Sequence, residues 1–573
     1  MPIEEASLRL VESKLGFDFV SYCTASSRGD VSMRFKGEKP LSGTAESALV
    51  SLADLCSELV RRVSRQNMAA NDGTVHSVNW SFFANFDTAR GMTLANAFRK
   101  EAGGQIFAPR NGSGLVPHLQ KIAASVFPIL LIPVTGDLPG EPASLTGPIM
   151  SYSESRFAAA AILSDPDLCR LCPRVAGDDE ADPKLDVFLS HSVIENIVTY
   201  AFNKLVLSLR ALPSIEDLCS AIPDSVSTAR DLVQGKQVSL PVLVGLGNIK
   251  LPEGAVVETQ AGCLSEYLKI YERWSPWRLR GTRTVHNSDR GRHEFIRAGN
   301  IVLRVDERVR VRMADKGAET GTPWTMNSVD TSAIVAAEST VFLAATLGID
   351  NDPPVAVYPT WSIRFSPLMA DFAIGRDAIE KRAIAPLLAL TDEETAAWGR
   401  WISKISSIGL KGVEVAARRI QLAIAERDSP LDRFVDSIIA WENIFGGGSE
   451  MTLRISASLA LLLGKDSGDR RRIYDEARKL YTLRGKVVHG ADTVKDKDLP
   501  ASAATGLRAA IDAMRKLYEE LPDMVPLTGE KRSLAMILQA RYVDTDEIHG
   551  ISPFPETATR EGRSDDNRSG FHE

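Results

Sequence analysis

At 573 residues the chain is too long for a single core, and at ~100–200 residues per domain it divides into about three. Its 44% hydrophobic and 25% charged residues are those of an ordinary soluble globular protein, and a formal charge of -7 excludes a dedicated nucleic-acid coat while leaving room for a local basic patch. Six cysteines over this length do not make a disulfide framework and fit a reducing cytoplasm.

No N-terminal segment has the charged, apolar, small-residue order of a secretion signal. The longest apolar run, SVFPILLIPV (125–134), is too short to span a bilayer and reads as a buried strand. A soluble, cytoplasmic protein without membrane contact is the expectation. Residues 1–212 mix the two periodicities. EEASLRLVESKL and AESALVSLADLCSELVRRV repeat like helices, whereas FDFVSYC, VSMRFKG and VFPILLIPV read as strands. HSVIENIVTYAFNKLVLSLRAL (191–212) predicts a long helix. This is an α/β region of unassigned role.

From 236 to 365 short β-rich runs follow one another between Gly, Pro and Asn: LPVLVGLGNIKLP, AVVETQAG, RTVHN, NIVLRVDERVRVRM, STVFLAATLGI and PVAVYPTW. They predict a mostly antiparallel β domain. Helical patterns alone continue from 385 to about 521, and 385–525 is taken as a helical bundle. The polar, aperiodic end, 555–573, reads as a disordered tail. The fold class expected is a multidomain α+β protein.

Within the helical part, SPLDRFVDSIIAWENIFGGGSE starts well, since Ser429 can cap and Pro430 is tolerated in a first turn. Leu431, Phe434, Val435, Ile438 and Phe445 form one stripe, and the glycines from 446 end the helix. Eleven steps of ~100° bring Glu442 back to within ~20° of Leu431, so a carboxylate points with the core side chains and needs a partner. In DRRRIYDEARKLYTLR (469–484), Ile473, Ala477 and Leu480 share a face, and Arg484, eleven after Ile473, falls on it too. Two inward charges of opposite sign on neighbouring helices predict a polar pocket. His489 follows five residues later, near a helix end, where the dipole favours protonated imidazole.

The order of these segments, DRFVDSIIAWENIF, then RISASLALLLG, then RRIYDEARKLYTLRGKVVHG, resembles the Apea-like branch of the HEPN superfamily, whose members share an Arg, four to six residues and a His. Here that pattern is Arg484-Gly-Lys-Val-Val-His489. The resemblance covers roughly 385–521. It implies a helical bundle that dimerises and brings two such motifs into one cleft. It further implies a metal-independent endoribonuclease of an antiphage, abortive-infection or toxin-type system, cutting RNA with the RNA's own 2′-hydroxyl. His489 would be general acid or base. Arg484 would hold the scissile phosphate and Glu442 would orient one of the two. One residue departs: Gly485 stands where many active members carry a polar residue after the Arg. Some members have no activity, which makes a dimerisation, nucleotide-binding or protein-binding module the alternative. No cofactor or metal is implied, and a phage component or nucleotide is the kind of trigger expected.

YERWSPWRLRGTRTVHNSDRGRHEFIRAGNIVLRVDERVRVR (271–312) holds eleven arginines among aromatic residues, a mixture suited to stacking and phosphate contact. Trp274, Trp277, Arg278, Arg280 and Arg283, with Lys486 beside the dyad, are the candidate RNA contacts; a solvated sheet face with paired arginines is the plainer alternative. Cys169 and Cys172 form CRLC, which with His191 still falls short of the four ligands of a structural zinc site. VGLGNIK (244–250) reads as a β-turn, because no helix follows to lend its N-terminus to a phosphate.

Overall fold

Leu8, Val11, Leu15 and Phe19, all buried, recur at helical intervals and carry helix α1 (Glu5–Cys23) through the FDFVSYC stretch expected as a strand. A kink at Gly16 (φ 71°) bends α1 where a side chain would come within 2.8 Å of Pro133. VSMRF of the second expected strand lies in α2 (Arg28–Phe35), whose first turn is capped by the Ser27 side chain. Then come α3 (Gly43–Ala69), the two-residue strands β1 (Phe86–Asp87) and β2 (Met92–Thr93), and α4 (Leu94–Glu101). They are followed by α5 (Leu115–Leu130), α6 (Thr146–Met150), α7 (Ser153–Ser164), α8 (Pro183–Leu209) and α9 (Ile215–Val233). The α/β expectation for 1–212 is thus corrected: β1 and β2 are the only strands among the described residues there. The cause is plain in α5, where Val126, Phe127, Pro128 and Ile129 in succession are buried. A helix covered on all sides loses its polar stripe, and its run of apolar residues then looks like that of a buried strand.

The computed structural model describes residues 5–69, 78–87, 89–133, 145–172, 183–275, 282–287, 291–296, 299–313, 324–328, 331–352, 354–369, 372–375, 387–488 and 499–538. The middle of the chain is the expected antiparallel sheet. Its strands are β3 (Val238–Gly247), β5 (Val256–Thr259), β6 (Gly262–Glu266), β9 (Ile301–Met313), β10 (Trp324–Ser328), β11 (Tyr358–Arg364) and β12 (Phe372–Gly375). They run in the order β12-β11-β3-β9-β6-β5, with β10 also on β9. The long β3–β9 pair runs from Val238↔Val309 to Leu246↔Ile301. Outside this sheet, β7 (Thr282–Asn287) and β8 (Gly291–Ile296) pair with each other, and β4 (Ile249–Lys250) pairs in parallel with β13 (Leu388–Ala389).

The sheet is shared between two apolar cores. Leu243 and Val302 belong to the core of α1–α9, while their chain neighbours Val244 and Leu303 belong to the core of the C-terminal helices, the alternation a strand imposes. STVFLAATLGI, expected as a strand, lies almost entirely in α10 (Thr331–Gly348); residues 341–345 are all buried, and the α5 misreading recurs for the same reason. The C-terminal helices are α11 (Asp392–Ile408), α12 (Glu414–Ala425), α13 (Pro430–Phe445), α14 (Met451–Leu463), α15 (Ser467–Val488), α16 (Leu499–Glu520) and an unforeseen α17 (Gly529–Leu538). The expected tail, 555–573, lies outside the described residues. Among the described residues no helix is long and apolar enough to cross a membrane.

Candidate functional site on helices α13 and α15

Ser429 caps α13 by accepting from the Asp432 amide, and Pro430 occupies the first turn. The helix buries Phe434, Ile438, Trp441, Ile444 and Phe445, while Leu431, expected at the head of the stripe, is exposed. Glu442 therefore sits at the edge of the buried face, its side chain 19% exposed. Across from it, α15 buries Ala477 and Leu480 and presents Tyr481 and Arg484, three residues apart and so on one face. The helix runs on through Gly485 to Val488, one turn farther than the sequence suggested.

The Tyr481 hydroxyl donates to Glu442 Oε1 at 3.0 Å, and Arg484 Nη2 donates to Glu442 Oε2 at 3.3 Å. Glu442 and Arg484 meet across the two helices, and Tyr481 completes a triangle around one carboxylate. Burial, with the hydrogen bond to Glu442 and its charge next, pushes the Tyr481 phenol up to about 12, so it stays a donor at neutral pH. Among the described residues Glu442 is the only hydrogen-bond partner of Arg484, whose Nε is buried without one. A guanidinium has five donors. Most of this fork is therefore uncommitted, although the side chain is still 28% exposed. A side chain at Gly485 would meet nothing within 4 Å, so the surface beside Arg484 is open.

His489 lies outside the described residues, one position past the end of α15. Lys486 is exposed on α15, but two residues from Arg484 and so off its face. Of the other candidate RNA contacts, Trp274 is a correction. It is 6% exposed, donates its indole N–H to Asn203 at 3.2 Å, and packs edge-on against Phe365 and face-on against Tyr271. Both sides of the ring serve the N-terminal core, so no base can stack on it. Trp277, Arg278 and Arg280 lie outside the described residues; Arg283 is paired through its backbone with Phe295 in β7–β8. Cys169 and Cys172 are free thiols, and no group of three or more metal-ligating side chains occurs among the described residues.

Tyr481 stands in the Y-x-x-R spacing of the motif, but nothing in that spacing assigns it a partner. Its role needs the distance to α13. No protein-family model matches the chain, and neither a curated protein nor a solved structure matches it.

Proposed function

We propose that the C-terminal helices form a HEPN-type, metal-independent endoribonuclease effector, acting as a homodimer in an antiphage or toxin-type response. The observation that carries this reading is Arg484, held by Glu442 across two helices and, among the described residues, without any other hydrogen-bond partner. A guanidinium so anchored is preorganised for a second anion, and its planar geometry matches two oxygens of a phosphodiester. In the reaction, a base removes the proton of the RNA 2′-hydroxyl, and the 2′-oxygen attacks the adjacent phosphorus. The bond to the 5′-oxygen breaks, and that oxygen takes a proton from an acid. His489 supplies one of these transfers, and a second copy's equivalent histidine in a shared cleft supplies the other. Arg484 stabilises the charge that develops on the non-bridging oxygens, Glu442 fixes the Arg484 side chain, and Tyr481 fixes Glu442.

The products would be 2′,3′-cyclic phosphate and 5′-hydroxyl ends. The test is purified protein with labelled RNA in excess EDTA, alongside Arg484→Ala and His489→Ala, with growth of cells expressing each as a parallel readout. Either substitution should lower cleavage by ~100-fold or more and relieve any toxicity. Cleavage and toxicity undiminished in both variants would refute the assignment. One observation favours a second reading, a non-catalytic HEPN module: Glu442 already neutralises Arg484, and Gly485 adds no polar group. That module would dimerise and bind a nucleotide or a protein, and RNA incubated with it would keep its ends unchanged.

A further inference from the structure

A cleft of about 860 Å³ opens where the end of α8, strands β5, β6 and β9, helix α10 and the end of α11 meet. Its volume is that of a small-molecule site, and it lies at a junction between the two cores, where such sites favour. Its polar end is built from two arginines that converge from different elements. Arg210, one residue past α8, donates through Nη2 to Cys263 Sγ at 3.2 Å, and Cys263 is the cross-strand partner of Arg304. Paired residues of neighbouring strands put their side chains on one face, so the two guanidinium groups share that end of the cleft. The buried Tyr271 phenol, close enough to feel Arg210, Arg304 and Cys263, completes it.

Three further features mark the site as built. Arg210 adopts φ 54°, a left-handed conformation that a non-glycine residue holds only under constraint. Gly262 (φ 139°) lets β6 approach so closely that a side chain there would strike the Arg304 carbonyl at 2.4 Å. Among the described residues no carboxylate pairs with Arg210, whereas the acids of the cleft, Glu258 and Asp306, are exposed, and Asp306 approaches Arg304 only at 3.8 Å. The cleft is also lined by Ala333, Ala337, Ile405 and Leu410, with Thr340 and Ser406 as the polar groups among them.

We propose that this cleft binds a mononucleotide-sized organic phosphate, with Arg210 and Arg304 taking the phosphate and the lining from α10 and α11 taking the organic body. Guanidinium forks match phosphate oxygens two at a time, and among the described residues no carboxylate competes for Arg210. The ligand would join parts of both cores. It would reach the C-terminal bundle through Gly409, whose carbonyl accepts from Tyr518 of α16 at 2.8 Å. The proposal does not depend on how the α13–α15 corner works.

The test uses the full chain with AMP, GMP, CMP and UMP, with adenosine and inorganic phosphate as controls. Its readouts are thermal melting and peptide-level alkylation of cysteines. Binding stabilises the folded state by mass action, so at least one mononucleotide should raise the melting temperature and slow alkylation of Cys263, leaving Cys169 outside the cleft unchanged. Arg210→Gln, and independently Arg304→Gln, should weaken that effect about tenfold or more. Ala336→Trp, which fills the mouth from an exposed position on α10, should abolish it. The proposal is overturned if no mononucleotide at millimolar concentration shifts melting or protects Cys263. It is equally overturned if adenosine matches AMP, or if all three variants bind as wild type does.

Discussion

Helix α13 turns two carboxylates, Asp436 and Glu442, toward neighbouring helices, and the bundle treats them in opposite ways. Asp436 is 3% exposed and saturated: Arg419 Nη1 and Arg427 Nε reach its two oxygens at 2.7 Å each. Arg427 is held more firmly protonated by the hydrogen bond and charge of Asp436. Glu442, two turns on, is more exposed and more loosely held, with a phenol at 3.0 Å and one guanidinium nitrogen at 3.3 Å. Arg532 on α17 repeats the saturated pattern from the cationic side. It is wholly buried and donates to the carbonyls of Met524, Ile444, Gly412, Val525 and Leu527. A charge that only holds the fold together is given every partner it can take. One left with spare donors beside an open surface is available to something outside the chain.

The sharpest way to break this comparison is at Arg532. Burial lowers its pKa to about 10, so at neutral pH it is still the charged donor of that carbonyl cage. Arg532→Met removes all five hydrogen bonds and orphans buried carbonyls, so the unfolding free energy should fall by ~4 kcal/mol or more. Urea denaturation measures this, and a loss below ~1 kcal/mol would show that the cage is not structural. Next in size is Asp436→Asn, which leaves two half-exposed arginines facing an uncharged amide and should cost ~2–3 kcal/mol. Glu442→Gln should cost under ~1 kcal/mol by the same measurement, because its pairing is partly exposed and long. Equal costs for the two would erase the distinction between an anchor and a site.

A polar pocket between α13 and α15 was legible because Arg484 lies eleven residues from Ile473, a spacing that returns to nearly the same direction. The same reasoning misplaced Leu431, which is exposed, and Glu442 sits at the edge of the buried face. The alternating β9 was legible for a similar reason. What failed were the runs of consecutive buried residues, notably 126–129 in α5 and 341–345 in α10, where no polar face remained to set the period. Trp274 failed differently. Arginine-rich, aromatic composition says which side chains are present in 271–312 but not which way a ring turns, and this one turns inward. The cleft of Arg210 and Arg304 could not be read at all, since its walls come from residues between 207 and 410 that share no local pattern.

The smallest expected effect tests the third corner of the triangle, Tyr481. Its phenol is raised to about 12, first by burial and then by the hydrogen bond to Glu442 and the charge of that carboxylate, with Arg484 pulling the other way. An unfolded tyrosine titrates near ~10. Between these two values the unfolded chain has released a proton that the folded chain keeps, so stability falls as pH rises through that window. The contribution is whole below ~10 and lost above about 12. Tyr22, Tyr152, Tyr271 and Tyr518 are raised as well, so the measurement is a difference between wild type and Tyr481→Phe. Phenolate absorbance of the two folded proteins should coincide up to about pH 11, because the hydroxyl that distinguishes them stays protonated. One extra phenolate in wild type by pH 10.5 would mean that Tyr481 is free of Glu442. Arg484 would then lean on a carboxylate with no second support, and the preorganisation on which phosphate binding depends would be gone.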